Sequence, residues 1–136
     1  MFNYSFLLPF SLLITLNVHA IEGETEIIAK KTKPSIVVIK SKGRSDGKEA
    51  LGTGFFISKD GLLVTNYHVI GEGKKITLET ADGKEIDIAS VYAFDRENDL
   101  AILATKLKLP VLGLSKYDPY PGYWVMALGS ADGYEG

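Results

Sequence analysis

The sequence predicts an all-β domain built as an antiparallel barrel or sandwich, and three observations carry that expectation. Short apolar segments rich in Val, Ile, Leu and Phe recur along the chain. Turn signals separate them, among them Asp60-Gly61 and Asp82-Gly83, dipeptides that readily supply the positive φ of a hairpin. No long amphipathic helix and no solenoid-type repeat interrupts this rhythm.

Taken in order, Ile21 to Lys33 is polar and charged around Ile27, Ile28 and Ala29. It predicts a short helix or helical turn ending before Pro34, because a residue preceding proline avoids the helical region. Ser35 to Lys40 (SIVVIK) is β-branched and apolar, the first strand. Ser41 to Glu49 is a polar, Gly-containing loop. Gly52 to Ile57 and Leu62 to Thr65 form a hairpin around Lys59-Asp60-Gly61, and the second strand runs directly into Asn66-Tyr67-His68-Val69. A histidine delivered by a rigid hairpin is held better than one on a mobile loop, and imidazole can move protons near neutral pH.

Gly71-Glu72-Gly73 then breaks the chain, and Lys75 to Thr80 alternates as a half-buried strand should. After a turn at Ala81 to Lys84, Glu85 to Phe94 reads as one strand long enough to curve round a barrel. Asp95 to Asp99 is a polar loop and Leu100 to Ala104 a short apolar strand. Lys106 to Ser115 leads to a Pro- and Gly-rich turn at Tyr117 to Gly122, and Tyr123 to Gly129 is the last strand, its aromatic residues read as packing residues.

Composition narrows the function classes. The 136 residues suit one small domain, or a domain with a fragment attached. A balance of 15 basic against 17 acidic residues offers no basic surface for nucleic acid. With no cysteine there is no disulfide, thiol catalysis or Cys-based zinc site. Met1 to Ala20 has no charged side chain, an apolar run from Phe6 to Leu16, and a small residue ending Val18-His19-Ala20. This is the outline of a secretory signal peptide cleaved after Ala20, which predicts export to the periplasm or beyond. The n-region lacks Lys and Arg, so an uncleaved membrane anchor is the alternative, although Pro9 and Asn17 make a poor spanning helix. Of the two histidines His19 lies in this leader, so a multi-histidine metal site is excluded from the mature chain. No metal or cofactor is expected.

Gly52-Thr53-Gly54-Phe55-Phe56-Ile57, then Asp60-Gly61, then Val64-Thr65-Asn66-Tyr67-His68-Val69-Ile70 resembles the histidine segment of trypsin-like serine proteases, most closely the bacterial HtrA/DegP type. Asp95-Arg96-Glu97-Asn98-Asp99-Leu100-Ala101-Ile102-Leu103 resembles the segment whose second aspartate belongs to the triad. PSIVVI at 34–39 is similar to the entry of that domain, and PGYWVMALGSADG at 121–133 to the opening of its second barrel. The resemblance implies a trypsin-like double β-barrel, of which this chain supplies the first barrel and the opening strand of the second. The organisation would be a signal peptide at 1–20, the first barrel at 21–115 and the truncated start of the second at 116–136.

It also implies a serine endopeptidase acting on protein or peptide substrates, unfolded envelope proteins in particular. There would be no nucleic-acid partner and no stable membrane span after cleavage, and the full-length protein could form a homotrimer. His68 would be the general base and Asp99 its orienting partner. Asp95 is the competing carboxylate. The bland alternatives are a buried structural histidine at a strand end and two turn-capping aspartates.

The implied nucleophile lies in a G-x-S-G-G segment, and no serine in this sequence has that context. Ser130, in Gly129-Ser130-Ala131-Asp132-Gly133, comes too early and lacks the paired glycines, so it reads as a turn residue. Removing the nucleophile of another serine protease cost about 2 × 10⁶ in kcat. The 136 residues alone are therefore expected to be inert, as a fragment or truncated product. The alternative is a non-catalytic pseudo-protease barrel that holds peptides; a metal-dependent hydrolase is disfavoured by the single mature histidine.

Overall fold

Every second side chain of β1 (Ile36–Lys42) is buried: Val37, Ile39 and Ser41 face inward. A strand with one face against a core produces this alternation. The computed structural model, which describes residues 23–43, 45 and 47–129, contains β2 (Ala50–Phe56), β3 (Leu62–Asn66), β4 (Lys75–Glu79), β5 (Glu85–Asp87), β6 (Ser90–Asp95) and β7 (Leu100–Ala104) as well. Neighbours are antiparallel throughout, in the order β5-β4-β1-β2-β3-β7-β6.

The two ends of this sheet, β5 and β6, are separated in the chain only by Ile88 and Ala89. Ile88 donates its amide to the Ile76 carbonyl on β4, and Ala89 donates to the Ala104 carbonyl on β7, both at 3.0 Å. Two consecutive residues thus tie opposite ends of the sheet, which is curled into a barrel wall. The all-β fold expected from the sequence, with its trypsin-like barrel, is the fold observed. The core is Val37, Ile39, Phe56, Leu63, Leu78, Ala101 and Leu103, capped by Val69 and Ile70. Residues 23–31 are helical and belong to a separate unit from 32–136.

Three elements differ from expectation. Glu85 to Phe94 is two strands rather than one, because the segment leaves β4 for β7 midway, and β6 carries a bulge between Val91 and Ala93. The α-helix ends at Thr32, before Pro34 as expected, but a 3₁₀ turn, Lys33–Ser35, follows with proline at its start, where a missing N–H leaves nothing unpaired. The first strand accordingly begins at Ile36 and runs on through Ser41 and Lys42, assigned from sequence to a loop, because both pair with β4. Finally, Tyr123 to Gly129 makes no strand. A strand needs a neighbour to complete its ladder, and none of the described residues pairs with it. Tyr123, Trp124 and Val125 are exposed rather than packed. The expected leader at 1–20 and Ser130 lie outside the described residues.

The assignment of the core has a direct check. Phe56 has no exposed surface and Leu114 is 69% exposed, so Phe56→Ala is expected to lose about 3–5 kcal/mol in urea unfolding. Leu114→Ala should change stability by no more than about 0.5 kcal/mol. Equal losses from both would contradict the core described.

Candidate active site

Glycine sets how closely the His68 segment can approach the barrel. A Cβ on Gly52 would lie 2.5 Å from a methyl of Val69, and one on Gly54 would lie 2.9 Å from Leu63 and 3.1 Å from Ile39. The Thr65 hydroxyl, from the next strand, donates to the Thr53 carbonyl between those glycines at 2.8 Å. At the hairpin turn Gly61 has φ +93°, and a Cβ there would be 2.2 Å from the Thr105 carbonyl oxygen. The Gly-Thr-Gly and Asp-Gly elements are thus the steric counterparts of the strand that carries histidine.

After Asn66 the chain makes one helical turn, Tyr67–Ile70, a segment to which the sequence pattern assigned no element. The signal was present in Asn66 before it and Gly71-Glu72-Gly73 behind it, residues that bracket short helices. Val69 and Ile70 are buried and anchor this turn. His68, on the same turn, has a side chain 71% exposed.

Asp99 ends the tight connection between β6 and β7 with φ 53°, the left-handed region, which aspartate tolerates better than most residues. Its carbonyl accepts the Tyr67 amide at 3.1 Å. One carboxylate oxygen, Oδ1, accepts the His68 amide at 2.8 Å. The other, Oδ2, lies 2.6 Å from His68 Nδ1 and 3.3 Å from the amide nitrogen of Asn66. The structure therefore brings His68 and Asp99 together. Asp95 does not join them: its carboxylate accepts the Glu97 and Asn98 amides and the Asn98 side chain, capping the turn.

The backbone amide of His68, followed by its imidazole, holds the Asp99 carboxyl below its ordinary value of 3.8, against a smaller opposing effect of desolvation. An ionised carboxylate only accepts hydrogen bonds, so Nδ1 must donate. The neutral ring then carries its lone pair on Nε2, the tautomer that lets imidazole receive a proton from a third group.

Tyr67 adds a tether that the sequence did not disclose. Its ring packs 5.3 Å from that of Phe94 on β6, and the Arg96 guanidinium lies 5.2 Å from the first ring and 5.5 Å from the second. Such stacks hold the histidine turn against the β6–β7 connection. Among the described residues no group of three or more His, Cys, Asp or Glu could hold a metal ion, and no helix is long and apolar enough to cross a membrane.

An antiparallel barrel that sets a histidine after one strand against an aspartate before another has the architecture of a trypsin-like peptidase. The chain belongs to that family: the trypsin-like peptidase domain matches residues 52–136. Its relatives place it with the HtrA type. Over 95 residues it is 37% identical to a probable periplasmic serine endoprotease DegP-like of Ectopseudomonas mendocina, covering 68% of this chain and 20% of that protein. Over 84 residues it is 40% identical to serine protease HTRA1 of Xenopus tropicalis, covering 60% and 18%.

Among solved structures, the Rv3671c protease of M. tuberculosis in its active form superposes with a TM-score of 0.60 at 31% identity, over 68% of this chain and 40% of that one. The HtrA-type protease AlgW with tripeptide gives 0.57 at 28% identity, over 64% and 28%. The chain spans about a fifth of the length of the curated relatives it matches.

The depressed Asp99 carboxyl has a signed consequence. A carboxyl lowered in the folded state adds stability that is fully present above the unfolded value near 3.8 and is lost as pH falls through the lower folded value. Acid unfolding of the wild type is thus expected to steepen below pH 3.8, and Asp99→Asn should flatten that dependence. Asp82 and Asp95, also lowered by hydrogen bonds, should keep it from vanishing. An identical acid slope in both proteins would show that the Asp99 bonds do not form in solution.

Proposed function

We propose that His68 and Asp99 are the histidine and aspartate of a Ser-His-Asp serine endopeptidase. The observation that carries this reading is the two-point contact of one carboxylate with one histidine, Oδ1 to the backbone amide at 2.8 Å and Oδ2 to Nδ1 at 2.6 Å. A carboxylate so bound fixes both the tautomer and the direction of the ring. His68 takes the proton of the nucleophilic hydroxyl and later returns it to the leaving amine; Asp99 stabilises the imidazolium between those steps. The serine comes from a G-x-S-G-G segment that this sequence does not contain, so the 136 residues alone do not hydrolyse peptides. The first barrel lies within residues 21–115, and 116–136 lead into a second, which completes the substrate cleft.

The substrates are polypeptides of the cell envelope, unfolded ones in particular. Support comes from the charge-free leader at 1–20 and from the periplasmic naming of the DegP-like relatives. By the same family likeness the whole protein assembles as a homotrimer.

The test is the complete coding sequence and its product. It is expected to carry the G-x-S-G-G serine and to cleave an unfolded protein. In that product His68→Ala should lower kcat by about 10⁶-fold and Asp99→Asn by about 10⁴-fold. A coding sequence without such a serine, or a His68→Ala product as active as the wild type, would defeat the proposal. The first of these results would favour a peptide-holding barrel.

A further inference from the structure

Asn66 occupies the position where an N-cap residue would stand, directly before the helical turn Tyr67–Ile70, and asparagine is among the best residues for that task. It makes no side-chain cap bond there. Its amide nitrogen is instead directed at Asp99, 3.1 Å from the backbone carbonyl and 3.3 Å from Oδ2. Both of those atoms only accept, which fixes the side-chain orientation: nitrogen faces Asp99 and oxygen faces away.

The choice of partner matters because of where Asp99 sits. It is the one described non-glycine residue with positive φ, at 53°, and its backbone must hold that conformation for the carboxylate to reach His68. Asn66 is also its neighbour through the ladder, since it pairs with Leu100 at the end of the β3–β7 register. A single carboxamide therefore grips the same residue by its main chain and by the oxygen that His68 Nδ1 uses. Among the described residues, Asn66 and His68 are the side chains that bond to Asp99.

We propose that Asn66 is a positioning residue of the His68–Asp99 pair, holding the left-handed Asp99 backbone with one contact and aligning Oδ2 on Nδ1 with the other. The proposal rests on the reading of that pair as a catalytic one. It assigns the asparagine of the Thr65-Asn66-Tyr67-His68 run a task separate from chain geometry. An alanine would serve the strand, but it would leave Oδ2 bonded by the imidazole alone and the Asp99 carbonyl by the Tyr67 amide alone.

Nuclear magnetic resonance of the 136-residue chain tests this without requiring hydrolysis. Two signals are followed: exchange of the His68 Nδ1 proton with solvent, and titration of the Asp99 carboxyl carbon, with Asp95 on the same connection as internal control. In Asn66→Ala the proton is expected to exchange about tenfold faster, the size of effect that loss of one hydrogen bond to a charged group produces. The Asp99 titration should move up towards the ordinary carboxylate range while Asp95 stays where it was. Asn66→Asp keeps the size of the side chain but sets a second carboxylate against the first, so both changes should be larger.

Should the alanine variant lose its dispersed amide spectrum, the aspartate variant decides. Wild-type exchange and an unmoved Asp99 titration would overturn the proposal. So would an Asp95 shift matching that of Asp99, which is the mark of general loosening. An Asp99→Asn variant separates the two levels: if its Nδ1 proton remains as protected as in the wild type, the underlying pair fails rather than the role of Asn66.

Discussion

Asp99 gathers hydrogen bonds from Asn66, Tyr67 and His68, residues more than thirty positions away in the chain, and the geometry of the site depends on that gathering. Two of the bonds come from consecutive backbone amides, those of Tyr67 and His68. Backbone donors are set by the local fold and cannot swing away as a side chain can. A left-handed non-glycine residue persists only when its surroundings over-determine it, and here a carbonyl and both carboxylate oxygens are engaged. The result is a carboxylate that stays fixed although its side chain is 43% exposed, with its pKa held below the ordinary value by the bonds from His68.

Packing supports this polar contact from beneath. Val69 sits in the space left by Gly52, and Ile70 is buried beside it, so the turn that carries His68 is bolted to β2 through its apolar residues. Close-packed interiors transmit displacement instead of absorbing it. A larger residue at Gly52 would therefore displace His68 without touching it. The Thr65 to Thr53 bond secures the strand one step earlier. The motif that first marked this chain is a packing motif as much as a chemical one: the glycines make room, and the histidine uses the position that results.

Barrel closure supplies the other half of the site. Ile88 and Ala89 bond to β4 and β7 in succession, which brings β6 alongside β7 and sets the β6–β7 connection over the end of β3. Asp95 caps that connection at one end, and Asp99 closes it at the other. Arg96 and Phe94 reach from it to the ring of Tyr67. The two aspartates, four residues apart, divide the work because only one lies at the point where β7 meets β3.

Local chemistry was enough to determine much of this from sequence. An Asp-Gly turn between two apolar runs is a strong hairpin signal, and Gly61 does take the positive φ that such a turn requires. The β-branched, apolar run from Ser35 to Lys40 marked a strand, and β1 runs over Ile36–Lys42. The likeness of the His68 and Asp99 segments to one family brought the two residues forward together, and the tertiary structure sets their side chains 2.6 Å apart.

What sequence left undecided involves partners distant in the chain. Nothing local breaks Glu85 to Phe94 at Ile88; the break exists because the two halves pair with different strands. Tyr123 to Gly129 has the composition of a strand, but a ladder needs a second chain segment, and composition cannot provide one. The orientation of Asn66 towards Asp99, away from the helical turn it precedes, was settled only by folding. Propensity and pattern belong to a segment, whereas a hydrogen bond needs two groups, and only the closed barrel brings the second one within reach.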